Sequence, residues 1–160
     1  WLSPAADQKL FESLQQHLNE AAPSLWDSEL MKLGIFPFEA GDSEIYTPQE
    51  LNYDLLGFVN FHKGCYTGQE IVARMHFRSK AKKRLFPVLI SAEATSSLTA
   101  DSEILGPEGA KAGRLLKALP QNDNTLIGLA ELNIELIEQS LTLAETPIEL
   151  LTRDLPGSPA

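Results

Sequence analysis

Cysteine is nearly absent from this chain of 160 residues, since Cys65 is the only one. A single thiol cannot form an internal disulfide, and by itself it cannot hold a metal ion or an iron–sulfur cluster. A free cysteine without disulfides is typical of a reducing compartment. We therefore expect a cytoplasmic protein without a metal site.

Long apolar runs are also absent. No apolar stretch is long enough to cross a membrane as a helix, and no signal-peptide segment opens the sequence. We therefore expect no membrane association. The sequence begins at Trp1 without a methionine, which favours a fragment of a longer protein.

Positive charge is scarce. The net charge is −9, with 13 Lys and Arg residues against 22 Asp and Glu residues. A chain this acidic repels phosphate-rich surfaces as a whole, which disfavours general binding to nucleic acids or anionic membranes.

The first part of the chain has helical periodicity. Three leucines recur every four residues within 3–22, which predicts a helix there that ends at Pro23. A second helix is predicted over 24–34, with Ser24 and Asp27 as a capping box and Gly34 as the stop. A loop with a brief helical turn at "TPQE" follows over 37–57.

Two further elements surround the cysteine. "GFVNF", ending at Phe61, is a short strand candidate. Thr67 and Glu70 have capping-box spacing, and "GQEIVARMHF" from Gly68 has the apolar spacing of a helix.

The remainder of the chain has the pattern of β structure. Short apolar runs separated by turn residues predict an antiparallel sheet or barrel of five or six strands. These runs are "LFPVLIS", "SEILG", "AGRLLKAL", "TLIGLAEL" and "PIELL". "AELNIELIEQSLTLAE" also fits an amphipathic helix. The predicted class is α+β, divided into residues 1–84 and a β domain of residues 85–160 with a frayed tail.

The segment "FHKGCYTGQE" has features of a reactive or anion-binding turn. A helix N-terminus and the neighbouring Lys63 both favour the thiolate of Cys65. Gly64 and Gly68 allow close backbone approach to a ligand, and Tyr66 adds a flat surface with a hydroxyl. The alternative is that Cys65 is a small buried hydrophobic residue.

The motif also carries a resemblance. "KGCYTGQEIVAR", with "PQELNYDLLGFVNF" upstream and "ARMHFRSKAKKRL" downstream, resembles the YgfZ type of folate-binding proteins. That family supports tRNA modification and the maintenance of iron–sulfur enzymes, and it is related to the aminomethyltransferase, or T-protein, of glycine cleavage. The resemblance covers Trp26 to about Phe86 and is weaker beyond.

The resemblance implies a fold and a site. The chain would contain the C-terminal portion of an aminomethyltransferase-like folate-binding domain, followed by a small antiparallel β-barrel. The N-terminal half of the folate domain would be absent. Cys65 would be a required thiol flanked by Lys63 and Tyr66. The implied cofactor is tetrahydrofolate or another folate, bound by Trp26, Gly64, Gly68, Gln69, Glu70 and Arg74.

Trp26 illustrates the two interpretations. An indole face can stack on a pterin ring, which gives the implied folate contact a physical basis. The alternative is that Trp26 packs in an ordinary hydrophobic core.

The implied function is that of a monomeric, non-enzymatic accessory protein. Its partners would be folate and iron–sulfur enzymes or assembly proteins, with an indirect link to tRNA. An alternative is an aminomethyltransferase that transfers a one-carbon unit to tetrahydrofolate, but that chemistry requires a carboxylate rather than a thiol. A third hypothesis is a protein–protein interaction module without a ligand.

A basic stretch follows the motif. Acidic residues are absent from 71–92, whereas six basic residues lie within it: Arg74, Arg78, Lys80, Lys82, Lys83 and Arg84. One interpretation is a solvated helix end, where the helix dipole favours cations. The other is a contact for an anionic partner, either a polyglutamyl folate tail or tRNA. No RNA-reading motif with interleaved aromatic residues accompanies the stretch, so direct tRNA recognition is unsupported.

Overall fold

The fold is taken from a computed structural model, which describes residues 8, 10, 12–14, 16–17, 21–78, 81–92 and 98–156. Most of the helix predicted over 3–22 lies outside or between these residues, although residues 8, 10 and 12–14 are helical. The last four residues of the predicted frayed tail also lie outside the described part.

From residue 21 onward, the described part of the chain has α-helices at Pro23–Lys32 (α1) and Gln69–Arg78 (α2). Pro23 starts α1, and no side chain among the described residues caps that end, so the predicted capping box of Ser24 and Asp27 is wrong. The predicted stop is confirmed, because Gly34 has a positive φ of 71°. The amide of Ile35 then donates to the carbonyl of Leu30 at 2.9 Å, as in a Schellman motif.

Six antiparallel strands form a closed barrel in the order β1-β4-β3-β2-β5-β6. Their bounds are β1 Lys83–Ser91, β2 Glu103–Leu105, β3 Lys111–Pro120, β4 Thr125–Asn133, β5 Leu141–Leu143 and β6 Thr146–Leu150. Short 3-10 helices lie at Ala40–Asp42, Pro107–Gly109 and Ile134–Leu136. The barrel confirms the expected β architecture. The alternative helix in "AELNIELIEQSLTLAE" is wrong, because those residues form the end of β4, a 3-10 turn and β5.

The strand candidate "GFVNF" is also wrong, since its residues form a turn and a bend. The amides of Phe58 and Val59 donate to the carbonyl of Tyr53, at 2.9 and 3.2 Å. The rings of Tyr53 and Phe58 lie 5.1 Å apart. Phe58 and Val59 therefore close a turn on Tyr53, and they pair with no strand in the described part of the chain.

Alternation along the strands produces two hydrophobic cores, because successive side chains point to opposite faces. Phe86, Val88 and Ile90 belong to one core together with residues of every other strand, which fill the barrel. Leu85, Ile127 and Leu129 belong to a second core on the outer wall, where they pack with Met31, Phe36 and Leu51. Helix α1 and the loop after it therefore rest on the outside of the barrel. The division at residue 84 stays a prediction.

Among the described residues, no helix has the length and apolar character needed to cross a membrane.

Candidate functional site

Cys65 is exposed on a turn that precedes α2. The hypothesis that it is a buried hydrophobic residue is therefore wrong in this structure. We refer to residues 61–78, which comprise this turn and α2, as the cysteine segment.

Aromatic stacking closes the cysteine segment on itself. The Phe61 ring stacks on the imidazole of His76, with centroids 3.7 Å apart and planes inclined by 14°. Phe77 meets Phe61 edge-on at 6.0 Å. The start of the turn is thus held against the end of α2, and Cys65 lies between these two points along the chain.

The entry to α2 differs from the predicted capping box by one residue. The helix begins at Gln69, and the Tyr66 amide donates to Gln69 Oε1 at 3.1 Å. Gln69 therefore accepts the capping hydrogen bond at the start of α2 that was predicted for Glu70. Gly68 has a φ of +84°, a conformation that glycine adopts without strain, so it allows this sharp entry.

Lys63 and Tyr66 meet on the same turn. The Lys63 ammonium lies 4.8 Å from the centroid of the Tyr66 ring, within the range of a cation–π contact. At Gly64, an added Cβ would meet no atom within 4 Å. Packing against the residues that the structure describes therefore gives no reason for glycine at position 64, and its predicted ligand role stays a prediction.

Two predicted ligand-binding residues face one hollow. Glu70 and Arg74 line an open depression of about 300 Å³ together with Ala73 and Phe77. The Phe77 side chain is 69% exposed, so the depression has one large apolar wall and two opposite charges. Such a surface could accept a flat, polar ligand or an edge of another protein.

Trp26 is also unburied. It lies on α1 with 69% of its surface exposed, and its neighbours Leu25 and Leu33 are 54% and 67% exposed. Ordinary core packing, the alternative for Trp26, is therefore wrong here. Among the described residues, no hydrogen bond, ion pair or ring contact joins Trp26 to the cysteine segment.

Part of the basic stretch is structural. The Arg84 guanidinium is bidentate to Asp54, at 2.6 and 3.0 Å, and both side chains are buried. Lys83 Nζ lies 3.4 Å from Glu131. The interpretation of Arg84 as a solvated or anion-binding cation is therefore wrong, because its charge is already paired. Arg74 and Lys82 are exposed, whereas Lys80 and the side chain of Arg78 lie outside the description.

Sequence reasoning missed the polar residues behind the cysteine segment. Gln49 and Asn52 are each 1% exposed. Asn52 Nδ2 donates to the Leu85 carbonyl at 2.7 Å, and Gln49 Nε2 donates to the Val72 carbonyl at 2.7 Å. These residues lie within the quoted "PQELNYD", but burial of a polar side chain depends on tertiary neighbours that no local pattern shows.

Candidate metal ligands are not clustered in the described part of the chain. Among the residues that the structure describes, no three His, Cys, Asp or Glu side chains are grouped closely enough to hold an ion.

Comparison with known proteins shows a partial similarity to the class of iron–sulfur cluster assembly factors. The chain is 48% identical over 61 residues to the "Iron-sulfur cluster assembly factor IBA57 homolog, mitochondrial" of Dictyostelium discoideum. The matched stretch is 38% of this chain and 15% of that protein's length. No family model matches the chain. Because that relative is described as mitochondrial, the cytoplasmic location expected from the single cysteine stays a prediction.

The exposure of Cys65 has a direct test. Iodoacetamide should modify one thiol per folded chain, at a rate within about tenfold of the rate in denaturant, because Cys65 is exposed. Mass spectrometry of quenched samples measures both rates, and Cys65→Ser is the blank. A thiol that reacts only after unfolding would contradict the structure.

Proposed function

We propose that this chain belongs to a folate-binding accessory protein for iron–sulfur cluster assembly or repair, which acts through the Cys65 thiol. The observation that carries the proposal is the exposed cysteine in "KGCYTGQE", in a chain partly similar to an iron–sulfur cluster assembly factor.

The thiol chemistry favours an accessory role. A cysteine thiolate is a natural ligand of iron, but common clusters need about four protein ligands. Among the described residues no clustered ligands accompany Cys65. The remaining ligands would therefore come from a partner, so Cys65 would act at a protein–protein contact during cluster transfer or repair.

The folate part of the proposal is supported by Trp26. Its indole face is exposed and makes no ring contact within the described residues, so it is free to stack on a pterin. The described hollows are not lined by Trp26. We therefore propose that the rest of the folate cavity lies in a part of the protein that precedes this chain. Gly64, Gly68, Gln69, Glu70 and Arg74 would contribute from the cysteine segment.

The link to tRNA would be indirect. Iron–sulfur enzymes that modify tRNA would depend on this protein for their clusters, and the paired charges of Lys83 and Arg84 reduce the basic surface available to RNA.

A second candidate is an interaction module without a ligand. The exposed apolar side chains of Trp26, Leu33 and Phe77 favour it, because such groups commonly mark contacts with other proteins. Binding of tetrahydrofolate distinguishes the two candidates, and turnover of an aminomethylated carrier protein would identify the aminomethyltransferase alternative.

Folate binding should depend on Trp26. In the complete protein, Trp26→Ala should weaken tetrahydrofolate binding about tenfold, through loss of stacking. Leu33→Ala is the matched control, since Leu33 is equally exposed near the same helix but lacks an aromatic face. The isolated 160-residue chain should bind more weakly than the complete protein. Calorimetry that gives equal affinity for the Trp26→Ala and Leu33→Ala variants would contradict the assignment.

Cys65 should be required in cells. Cys65→Ser keeps the size of the side chain but replaces a soft thiolate ligand with a hydroxyl, so support of iron–sulfur enzymes should be lost without loss of stability. Enzyme activities in cells that lack the native protein measure this, with thermal unfolding as the stability readout.

His62→Ala, on the same turn, is the matched control and should retain support. Full support by Cys65→Ser would remove the thiol from the mechanism.

A further inference from the structure

We propose that Gln49 is a positioning residue that fixes the cysteine segment to the β-barrel. The predicted effect of Gln49 on activity rests on the proposed function of Cys65. Its predicted effect on the position of α2 does not depend on that function.

Gln49 is bonded in two directions. Its side-chain Nε2 donates to the carbonyl of Val72, in the first half of α2, at 2.7 Å. Its main-chain carbonyl accepts hydrogen bonds from the Arg84 guanidinium at 3.0 Å and from the main-chain N–H of Asn52 at 3.2 Å. One residue therefore joins α2 to the start of β1.

The barrel side of this connection is firmly held. Arg84 is itself fixed by its bidentate pair with Asp54, and Asn52 is bonded to the backbone of Leu85. A buried, charge-assisted pair has a defined geometry. The Gln49 side chain therefore projects toward α2 from a well-defined backbone position.

Contacts within the cysteine segment connect α2 to the turn that carries Cys65. Helix α2 is joined to the turn by the Phe61–His76 stack and by the bond between Tyr66 and Gln69. A shift of Val72 would therefore move both anchors of the turn that presents Cys65.

Only the donor of the Gln49 side-chain amide has a described hydrogen-bond partner. Its Oε1 is buried and has no hydrogen-bond partner among the residues that the structure describes. An unpartnered buried acceptor destabilises a fold relative to an apolar side chain of the same size. Methionine would fill the same space without this unpartnered acceptor, so the contribution of the glutamine amide to the fold lies in its donor to Val72.

The test compares two variants of the 160-residue chain by amide hydrogen exchange. Gln49→Met fills the same space without a donor and should speed exchange of the α2 amides about fivefold or more, the value of one lost hydrogen bond. The barrel's thermal midpoint should stay the same or rise. Ile90→Val, which thins the barrel interior away from α2, is the control and should leave α2 exchange unchanged.

Unchanged α2 exchange in Gln49→Met would overturn the proposal. So would equal acceleration in Ile90→Val, because α2 would then report only global stability.

The functional consequence is tested in cells with the intact protein. Gln49→Met should lower support of iron–sulfur enzymes, and Gln49→Glu should do the same because its carboxylate would face the Val72 carbonyl. Full support by both variants, with Cys65→Ser inactive, would overturn the role in positioning the thiol. Full support by Cys65→Ser would instead overturn the proposed function, and α2 exchange would still decide whether Gln49 fixes the segment.

Discussion

The buried ion pair between Arg84 and Asp54 is the constraint on which the rest of the structure depends. The Arg84 side chain is 10% exposed and that of Asp54 is 4% exposed, so neither charge has water to stabilise it in the other's absence. Arg84 lies in β1, the strand that closes the barrel by pairing with both β4 and β6. The pair therefore binds the loop before the cysteine segment to the strand where the barrel closes.

Backbone hydrogen bonding explains why the loop lies where it does. Strand β6 pairs with β1 only at Val88–Ile90, so the edge of β1 at Leu85 lies beyond its reach. The Asn52 side chain lies there instead. Its Nδ2 donates to the Leu85 carbonyl at 2.7 Å, and its Oδ1 accepts from the Leu85 main-chain N–H at 3.4 Å. Buried backbone groups need such partners. One asparagine thus completes the sheet where β6 ends.

The barrel was predictable from sequence because its strands alternate. Phe86, Val88 and Ile90 face the interior while Leu85 and Leu89 face α1, and short apolar runs between turn residues are sufficient to indicate such strands. The helix after the motif was likewise predictable within one residue. The strand prediction for "GFVNF" failed because strand propensity does not show whether a partner strand is present. The main-chain N–H groups of Phe58 and Val59 bond to the Tyr53 carbonyl instead.

The candidate site was only partly predictable. The motif and its resemblance located Cys65, but whether the thiol is packed or exposed depends on the surrounding fold. Arg84 looked like one of six equivalent cations, yet it is buried against a carboxylate 30 residues earlier in the chain. Gln49 had no local signal at all. Pairings between buried polar groups distant in sequence are set by tertiary structure, so a single sequence does not show them.

Cys65 and Trp26 are both exposed. Trp26 lies on α1, which packs on the outer wall of the barrel, whereas the cysteine segment is bonded to Gln49, which is in turn bonded to Arg84 of β1. In this account the barrel is a support, and residues 47–58 extend it as a rigid connection to the segment that carries the thiol. This differs from a thiol on a free loop, since a partner would meet Cys65 in a fixed place. A fixed position lowers the entropy cost of forming a specific contact.

Native-state hydrogen exchange of the unmodified chain at low denaturant concentrations tests this central claim most directly. If residues 47–58 are part of the barrel's cooperative unit, the amides of Asn52 and Tyr53 should open with the same free energy and denaturant dependence as those of Val88 and Ile90. Rapid, denaturant-independent exchange of Asn52 and Tyr53, with the β1 amides still protected, would contradict the account.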